Sequence, residues 1–292
     1  MKVLITGGTG QLGQDCQNCM AAVHQVQALS SCELDITDRE SVALALSTFA
    51  PDVVINCAAY TKVDLCEEET ERCLAVNADG PAVLADQCGK VGARLLHIST
   101  DYVFDGRRPV PEPYLEDDPT GPLSAYGRAK LAGEESVLAC LPDALVVRTA
   151  WLYGMGGPNF LKTILRLAVT DPGRTLKIVN DQYGSLTWTA TLAKQLLALV
   201  ESDLAGIAHA TAEGVCTWYE GAREFLRLMD IPADIVPCAS SEYPTPAHRP
   251  ANSILENKRL KAAGLNRMRP WQEDLRNFVS RHGEELLWEV GE

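Results

Sequence analysis

The chain has 292 residues, 46% hydrophobic and 22% charged, and a net charge of −13. These values predict a soluble globular protein of one large or two unequal domains. The acidic excess argues against a nucleic-acid-binding surface, which needs clustered Lys and Arg, but a local pocket can still take a small anionic ligand. No apolar run approaches membrane-spanning length, and Met1-Lys2 leads directly into the strand-like Val3-Leu4-Ile5 rather than into a signal peptide. Ten scattered cysteines, among them Cys57 and Cys140 in apolar settings, predict reduced thiols in a cytoplasmic protein. Cys16 and Cys19 form a CxxC inside a predicted helix, with no further pair of ligands for zinc, so no metal site is assigned.

Lys2–Thr6 is a short apolar run of the kind that forms a buried parallel strand. Gly7-Gly-Thr-Gly10-Gln-Leu-Gly13 follows, and a predicted helix runs on through Cys16 and Met20. Strand, glycine loop and helix in that order make a dinucleotide site: the glycines allow a tight turn and close backbone approach, and the pyrophosphate sits on the helix N-terminus. The second strand, Gln25–Leu29, ends in Ser30-Ser31, with neither the acid nor the arginine that would choose between NAD and NADP. A third strand in the stretch Glu33 to Asp38 would bring Asp35 and Ile36 towards an adenine, and Asp38 fits the N-cap of a helix beginning near Arg39.

Asp52–Cys57 is another buried strand, ending in Ala58-Ala59-Tyr60-Thr61, whose small residues let a cofactor lie against the backbone. A helix from about Thr70 carries Asn77, expected to brace backbone within that helix. Arg94–Ser99 leads into Ser99-Thr100-Asp101-Tyr102, at the sheet edge that faces a ligand crevice. Asp101 and Asp105 suit turns there, and Asp101 also stands among the candidate substrate contacts. Pro109 to Pro122 reads as a surface loop, and the next helix carries Tyr126 and Lys130 on one face, four residues apart. A neighbouring cation lowers a phenol's pKa, which suits Tyr126 to general acid/base work. Ala144–Arg148 is the sixth strand in this reading.

Alternating strands and helices predict an α/β, doubly wound, Rossmann-like parallel sheet over residues 1–150, the NAD(P)-binding domain. Residues 151–292 are mainly a smaller substrate-binding domain, with about 180–210 returning to the sheet. Its predicted elements are helices at Phe160–Val169, Leu192–Val200, Trp218–Met229 and Trp271–His282, strands at Leu176–Val179 and Gly206–Ala210, and a proline-rich crossing at Pro244–Pro250.

Glycines 7, 10 and 13, hydroxyls at Ser99-Thr100 and Tyr126-x-x-x-Lys130 together resemble the extended short-chain dehydrogenase/reductase family. Asn56–Asp64, Ser99–Gly106, Arg148–Gly154, Asn180–Gly184 and Arg249–Ser253 narrow the resemblance to its dTDP-4-dehydrorhamnose reductases, over nearly the whole chain. The resemblance implies cofactor contacts at Gly7, Gly10, Gln11, Leu12 and Gly13, at Asp35 and Ile36, at Ala58, Ala59, Tyr60 and Thr61, and at Tyr126 and Lys130. It implies a catalytic set of Thr100, Tyr126 and Lys130. Substrate contacts would come from Thr100, Asp101, Tyr102, Tyr126 and Trp151, with Asn159 and Arg249 at the nucleotide diphosphate. The implied reaction is NAD(P)H-dependent reduction of the C4 ketone of a dTDP-sugar. NADPH is slightly preferred, because no acid at Ser30-Ser31 would repel a 2′-phosphate. Magnesium and a homodimer, which the family can use, stay open, since Asp15 stands at the early ligand position. A dehydratase of this fold resembles Thr-Asp-Glu where this chain has Thr100-Asp101-Tyr102, which argues against elimination. Epimerization, or a binding role like that of the regulatory subunit of methionine adenosyltransferase, is the alternative.

Overall fold

The computed structural model describes residues 1–291. Its centre is a parallel sheet of six strands. The first five are β1 (Lys2–Thr6), β2 (Gln25–Leu29), β3 (Val53–Asn56), β4 (Arg94–Thr100) and β5 (Leu145–Thr149). Between them lie α1 (Gln11–Met20), α2 (Arg39–Phe49), α3 (Thr70–Leu74), α4 (Gly80–Val91) and α5 (Ala125–Cys140), with one π-helical turn, Ala75–Asp79, joining α3 to α4.

The chain continues through β6 (Leu152–Tyr153), α6 (Phe160–Thr170), β7 (Leu176–Val179), β8 (Tyr183–Gly184), β9 (Thr187–Trp188) and α7 (Thr189–Val200). It then re-enters the sheet as β10 (Gly206–His209), which pairs in parallel with β5. The sheet order is β10-β5-β4-β3-β1-β2. The remaining elements are β11 (Cys216–Thr217), α8 (Trp218–Leu228), β12 (Ile235–Cys238), α9 (Lys258–Ala262) and α10 (Trp271–Gly291).

The central strands are buried on both faces, which explains their unbroken apolar runs. On one face Val3, Ile5, Val53 and Ile55 pack with Leu12 and Cys16 of α1 and Leu192, Leu196 and Leu199 of α7. On the other, Leu4, Val54 and Leu95 pack with Val42 and Leu46 of α2, Leu84 and Cys88 of α4 and Val137 of α5. A separate cluster of Tyr153, Leu165, Trp188, Phe225, Leu275 and Phe278 forms beside the sheet.

Two expectations change. No strand forms in the stretch Glu33 to Asp38: Leu34 and Ile36 are buried in the core, while the Asp35 carboxylate accepts from Thr37 N and Oγ1 in a local turn. Asp38 does cap α2, accepting from Glu40 N at 2.9 Å. The last helix runs on to Gly291, because Leu286 continues its buried face beyond His282. All ten cysteines are free. Among the described residues no helix is long and apolar enough to cross a membrane.

Candidate active site

The carboxyl ends of adjacent parallel strands converge, so segments far apart in the sequence meet along one sheet edge. The glycine loop leaves β1 with Gly7 at φ +64°. A Cβ on Gly13 would lie 2.2 Å from the Gly7 carbonyl oxygen, so α1 presses onto the turn with no room for a side chain. Gly10 is the N-cap of α1 and supplies no side-chain acceptor. The first-turn N–H groups of Gln11, Leu12 and Gly13 are thereby available to a pyrophosphate, the partner that a helix N-terminus favours. A dinucleotide fits this cradle.

The loop after β3 forms the second wall. Asn77, in the π turn, accepts from Tyr60 N and donates to Tyr60 O, both at 3.0 Å. It therefore braces the backbone of the Ala58–Thr61 loop, whereas the sequence suggests a brace on the backbone of its own helix. The Tyr60 hydroxyl donates to Glu69 at 2.8 Å, and Thr61 is exposed.

α5 forms the third wall. Ser124 caps it, accepting from Gly127 N at 3.1 Å, and Glu67 accepts from Ala125 N at 2.8 Å. A Cβ on Gly127 would meet the Tyr102 carbonyl oxygen at 2.3 Å, so the helix start lies flush against the segment that follows β4. Farther along, Glu134 and Arg148 of β5 form a buried bidentate ion pair with contacts of 2.7 to 3.2 Å, which locks α5 to the sheet. Breaking one partner of such a pair leaves an uncompensated buried charge.

Thr100, Asp101, Tyr102 and Tyr126 are brought together. Thr100 Oγ1 donates to Asp101 Oδ1 at 3.0 Å and accepts from Tyr102 N at 3.2 Å. Tyr102 and Tyr126 meet edge to face, with centroids 5.5 Å apart. Burial pushes Asp101 up to about 6 and Tyr102 up to about 12. The Tyr126 phenol is raised as well, first by burial and then by the neighbouring Asp101 and Tyr102. This corrects the expected lowering by Lys130. The Lys130 ammonium shares the helix face, yet it donates to Ile98 O at 2.6 Å instead of facing the phenol. Burial in turn lowers Lys130 to about 8. Tyr126 is thus protonated at neutral pH.

The other candidates divide. Arg249 joins the cluster, donating to the Tyr102 hydroxyl at 3.3 Å and pairing with Asp64 at 2.8 Å. Trp151 has φ +50°, stacks on Trp218 with centroids 3.6 Å apart, and lies over Gly184. Asn159 is committed to structure: it caps α6 through Lys162 N and donates to Gln11 Oε1 and Gly154 O. Ile36 is a core residue, so its side chain is not open to an adenine.

The end of β2 is less free of acid than Ser30-Ser31 suggests. Glu33 folds back so that its carboxylate accepts from Ser30 N at 2.8 Å and Ser30 Oγ at 2.7 Å. An acid four residues past the strand end was the available signal. Sequence reasoning also missed His97, which is fully buried between Asn56 and Lys130. Asp15 accepts from Thr189 Oγ1 at 2.5 Å. Among the described residues no group of three His, Cys, Asp or Glu side chains assembles that could hold a metal ion.

Comparison with known proteins agrees with this geometry. Residues 1–283 match the family model described as RmlD substrate binding domain. The dTDP-4-dehydrorhamnose reductase of Mycolicibacterium smegmatis is 45% identical over 96% of this chain and 85% of its own. A dTDP-4-keto-6-deoxy-D-glucose reductase of Streptomyces niveus is 41% identical over 92% of this chain and 93% of its own. The crystal structure of the Bacillus anthracis dTDP-4-dehydrorhamnose reductase in complex with NADP superposes with a TM-score of 0.92 at 36% identity, covering 96% of this chain and 99% of that one. With its glycine cradle, its parallel sheet edge and these relatives, the chain is an oxidoreductase and belongs to the RmlD substrate binding domain family.

Proposed function

We propose that this chain reduces the C4 ketone of dTDP-4-dehydro-L-rhamnose to the alcohol, giving dTDP-L-rhamnose, with Tyr126 as proton donor. The observation that carries the reading is the convergence of Thr100, Asp101, Tyr102 and Tyr126 beside the glycine cradle, with the phenol held protonated. The bound nicotinamide supplies the hydride. As charge develops on the ketone oxygen, Tyr126 gives it a proton and Thr100 donates a hydrogen bond to it. Lys130 holds the nicotinamide ribose and supplies the positive charge that the tyrosinate needs after proton transfer. Arg249, already oriented by Asp64, meets the anionic end of the nucleotide sugar, and Tyr102 and Trp151 flank the deoxysugar. The protein works in the cytoplasm as a soluble enzyme. Residues 1–150 bind the cofactor, with the later segment of α7 and β10, and the rest of the chain binds substrate.

A second reading keeps the chemistry and changes the sugar. The name of the Streptomyces niveus relative favours a related dTDP-4-keto-6-deoxysugar as an alternative substrate. Purified protein is incubated with dTDP-4-dehydro-L-rhamnose and with NADPH or NADH in turn, and the product is identified by NMR. Stoichiometric nicotinamide oxidation with formation of dTDP-L-rhamnose is expected. Sugar conversion without net oxidation would instead support an epimerase, and no conversion of any dTDP-4-keto sugar would refute the reading.

A further inference from the structure

We infer that His97 is a positioning residue of the reaction centre: a fixed tautomer of its ring presents an N–H to the Lys130 nitrogen and so sets the protonation of that lysine. The inference rests on the reading of Lys130 as a cofactor and reaction-centre residue.

The geometry begins with the register of three neighbouring strands. Thr6 of β1 pairs with Asn56 of β3, and Asn56 pairs with His97 of β4. Residues in register across a parallel sheet project to the same face, so the three side chains form a row. All three are fully buried. Asn56 Oδ1 accepts from Thr6 Oγ1 at 2.6 Å and from Ala58 N at 3.1 Å. A backbone N–H can only donate, so the Asn56 atom facing Ala58 is the oxygen, and the amide nitrogen points the other way. That nitrogen lies 3.0 Å from His97 Nδ1.

An amide nitrogen can only donate, so His97 Nδ1 must accept and the ring proton must sit on Nε2. Nε2 lies 3.5 Å from Lys130 Nζ. Burial, and then the neighbouring Lys130, hold His97 far below its ordinary pKa, so it stays neutral. Lys130 therefore faces a donor. An ammonium there turns N–H against N–H. A neutral amine accepts from Nε2–H and still donates to Ile98 O, which satisfies every polar atom of the group.

The other groups around Lys130 are consistent with a lysine balanced between its two forms. Glu134, one turn on in α5, favours the ammonium, as do the thiols of Cys57 at the end of β3 and Cys73 on α3 when they carry charge. Tyr126 lies one turn back in α5. Against these stand burial and the His97 N–H. A lysine poised in this way gives up its proton more readily than an ordinary lysine does, since donor strength follows pKa.

NADPH affinity measured by fluorescence against pH, with no sugar present, tests the inference. For the wild type we expect affinity to fall through a midpoint well below the ordinary lysine value of about 10.4. Asn56→Asp keeps acceptors for Thr6, Ala58 N and His97, but its carboxylate draws the ring proton to Nδ1. Nε2 then becomes an acceptor for the ammonium, and the midpoint should rise by about one pH unit or more, at roughly tenfold in amine fraction per unit. His97→Gln, which can turn its amide oxygen to Lys130, should move the midpoint the same way without adding charge. Near-UV circular dichroism establishes that each variant is folded, and His97→Gln alone decides if Asn56→Asp is not. An unmoved midpoint in a folded variant overturns the inference. So does a wild-type protein with no midpoint below about pH 9.5, which needs no variant. If the midpoint moves as expected but no dTDP-4-keto sugar is reduced, the reductase reading fails and the His97 assignment stands.

Discussion

Tyr126→Phe removes one oxygen from the centre of the proposed site and leaves the ring. The edge-to-face contact with Tyr102 and the buried position in α5 should survive, because both depend on the ring and not on the hydroxyl. The stability cost should then be small, below about 1 kcal/mol. The catalytic cost is larger. A positioned general acid contributes roughly 10²–10⁴-fold, or about 3–5 kcal/mol at ~1.36 kcal/mol per factor of ten. No nearby group can replace the phenol. Thr100 is not acidic, and Asp101, raised to about 6, has given up most of its protons at pH 7.5. Single-turnover stopped-flow oxidation of NADPH isolates the chemical step, and a primary deuterium isotope effect from 4-deuterated NADPH shows that hydride transfer is being observed. The expected outcome is a rate 10²–10⁴-fold below wild type with NADPH affinity within about twofold, on the scale typical for loss of general acid catalysis. A variant with wild-type rate and a full isotope effect would refute the assignment of Tyr126 as donor.

Gly13→Ala should cost about 3 kcal/mol in urea denaturation, the upper end of overpacking, because its Cβ meets the Gly7 carbonyl oxygen at 2.2 Å. Gly10→Val meets the same oxygen only at 3.3 Å from its Cβ, so calorimetry should show a folded protein that has lost NADPH binding. Trp151→Ala should raise KM for the dTDP-sugar about tenfold, one factor of ten being ~1.4 kcal/mol, with NADPH affinity unchanged. Collapse of both affinities together with the melting temperature would make the Trp218 stack a purely structural contact. Asp101→Asn concerns pH. Burial raises the Asp101 carboxyl from 3.8 to about 6, so between those values the native state holds a proton that the unfolded chain has released. Stability therefore falls as pH rises through that window, by roughly 3 kcal/mol for about two units. The Asn variant should lose this slope and melt at a higher temperature than wild type at pH 7, as differential scanning calorimetry can show.

The local chemistry of this protein was legible in its sequence. Short apolar runs marked the buried strands, Gly7, Gly10 and Gly13 marked the turn into α1, and the four-residue spacing of Tyr126 and Lys130 placed both on one helix face, because each depends on covalent periodicity and steric freedom within a few residues. The return of Gly206–His209 to the sheet edge could be anticipated from its strand-like pattern, although pairing with β5 is a tertiary fact. What only the fold decided is where polar groups point once several elements close around them. Lys130 turns to Ile98 O and His97 rather than to Tyr126, so the phenol is raised and not lowered. Glu33 folds back to supply the acid that Ser30-Ser31 lacked, Ile36 goes into the core, and Asn77 serves the loop after β3. Proton affinity depends on burial and on charges that arrive from distant parts of the chain. His97 shows the limit most clearly: its ring tautomer follows from Asn56, forty-one residues earlier in the chain, through a strand register that no local pattern encodes.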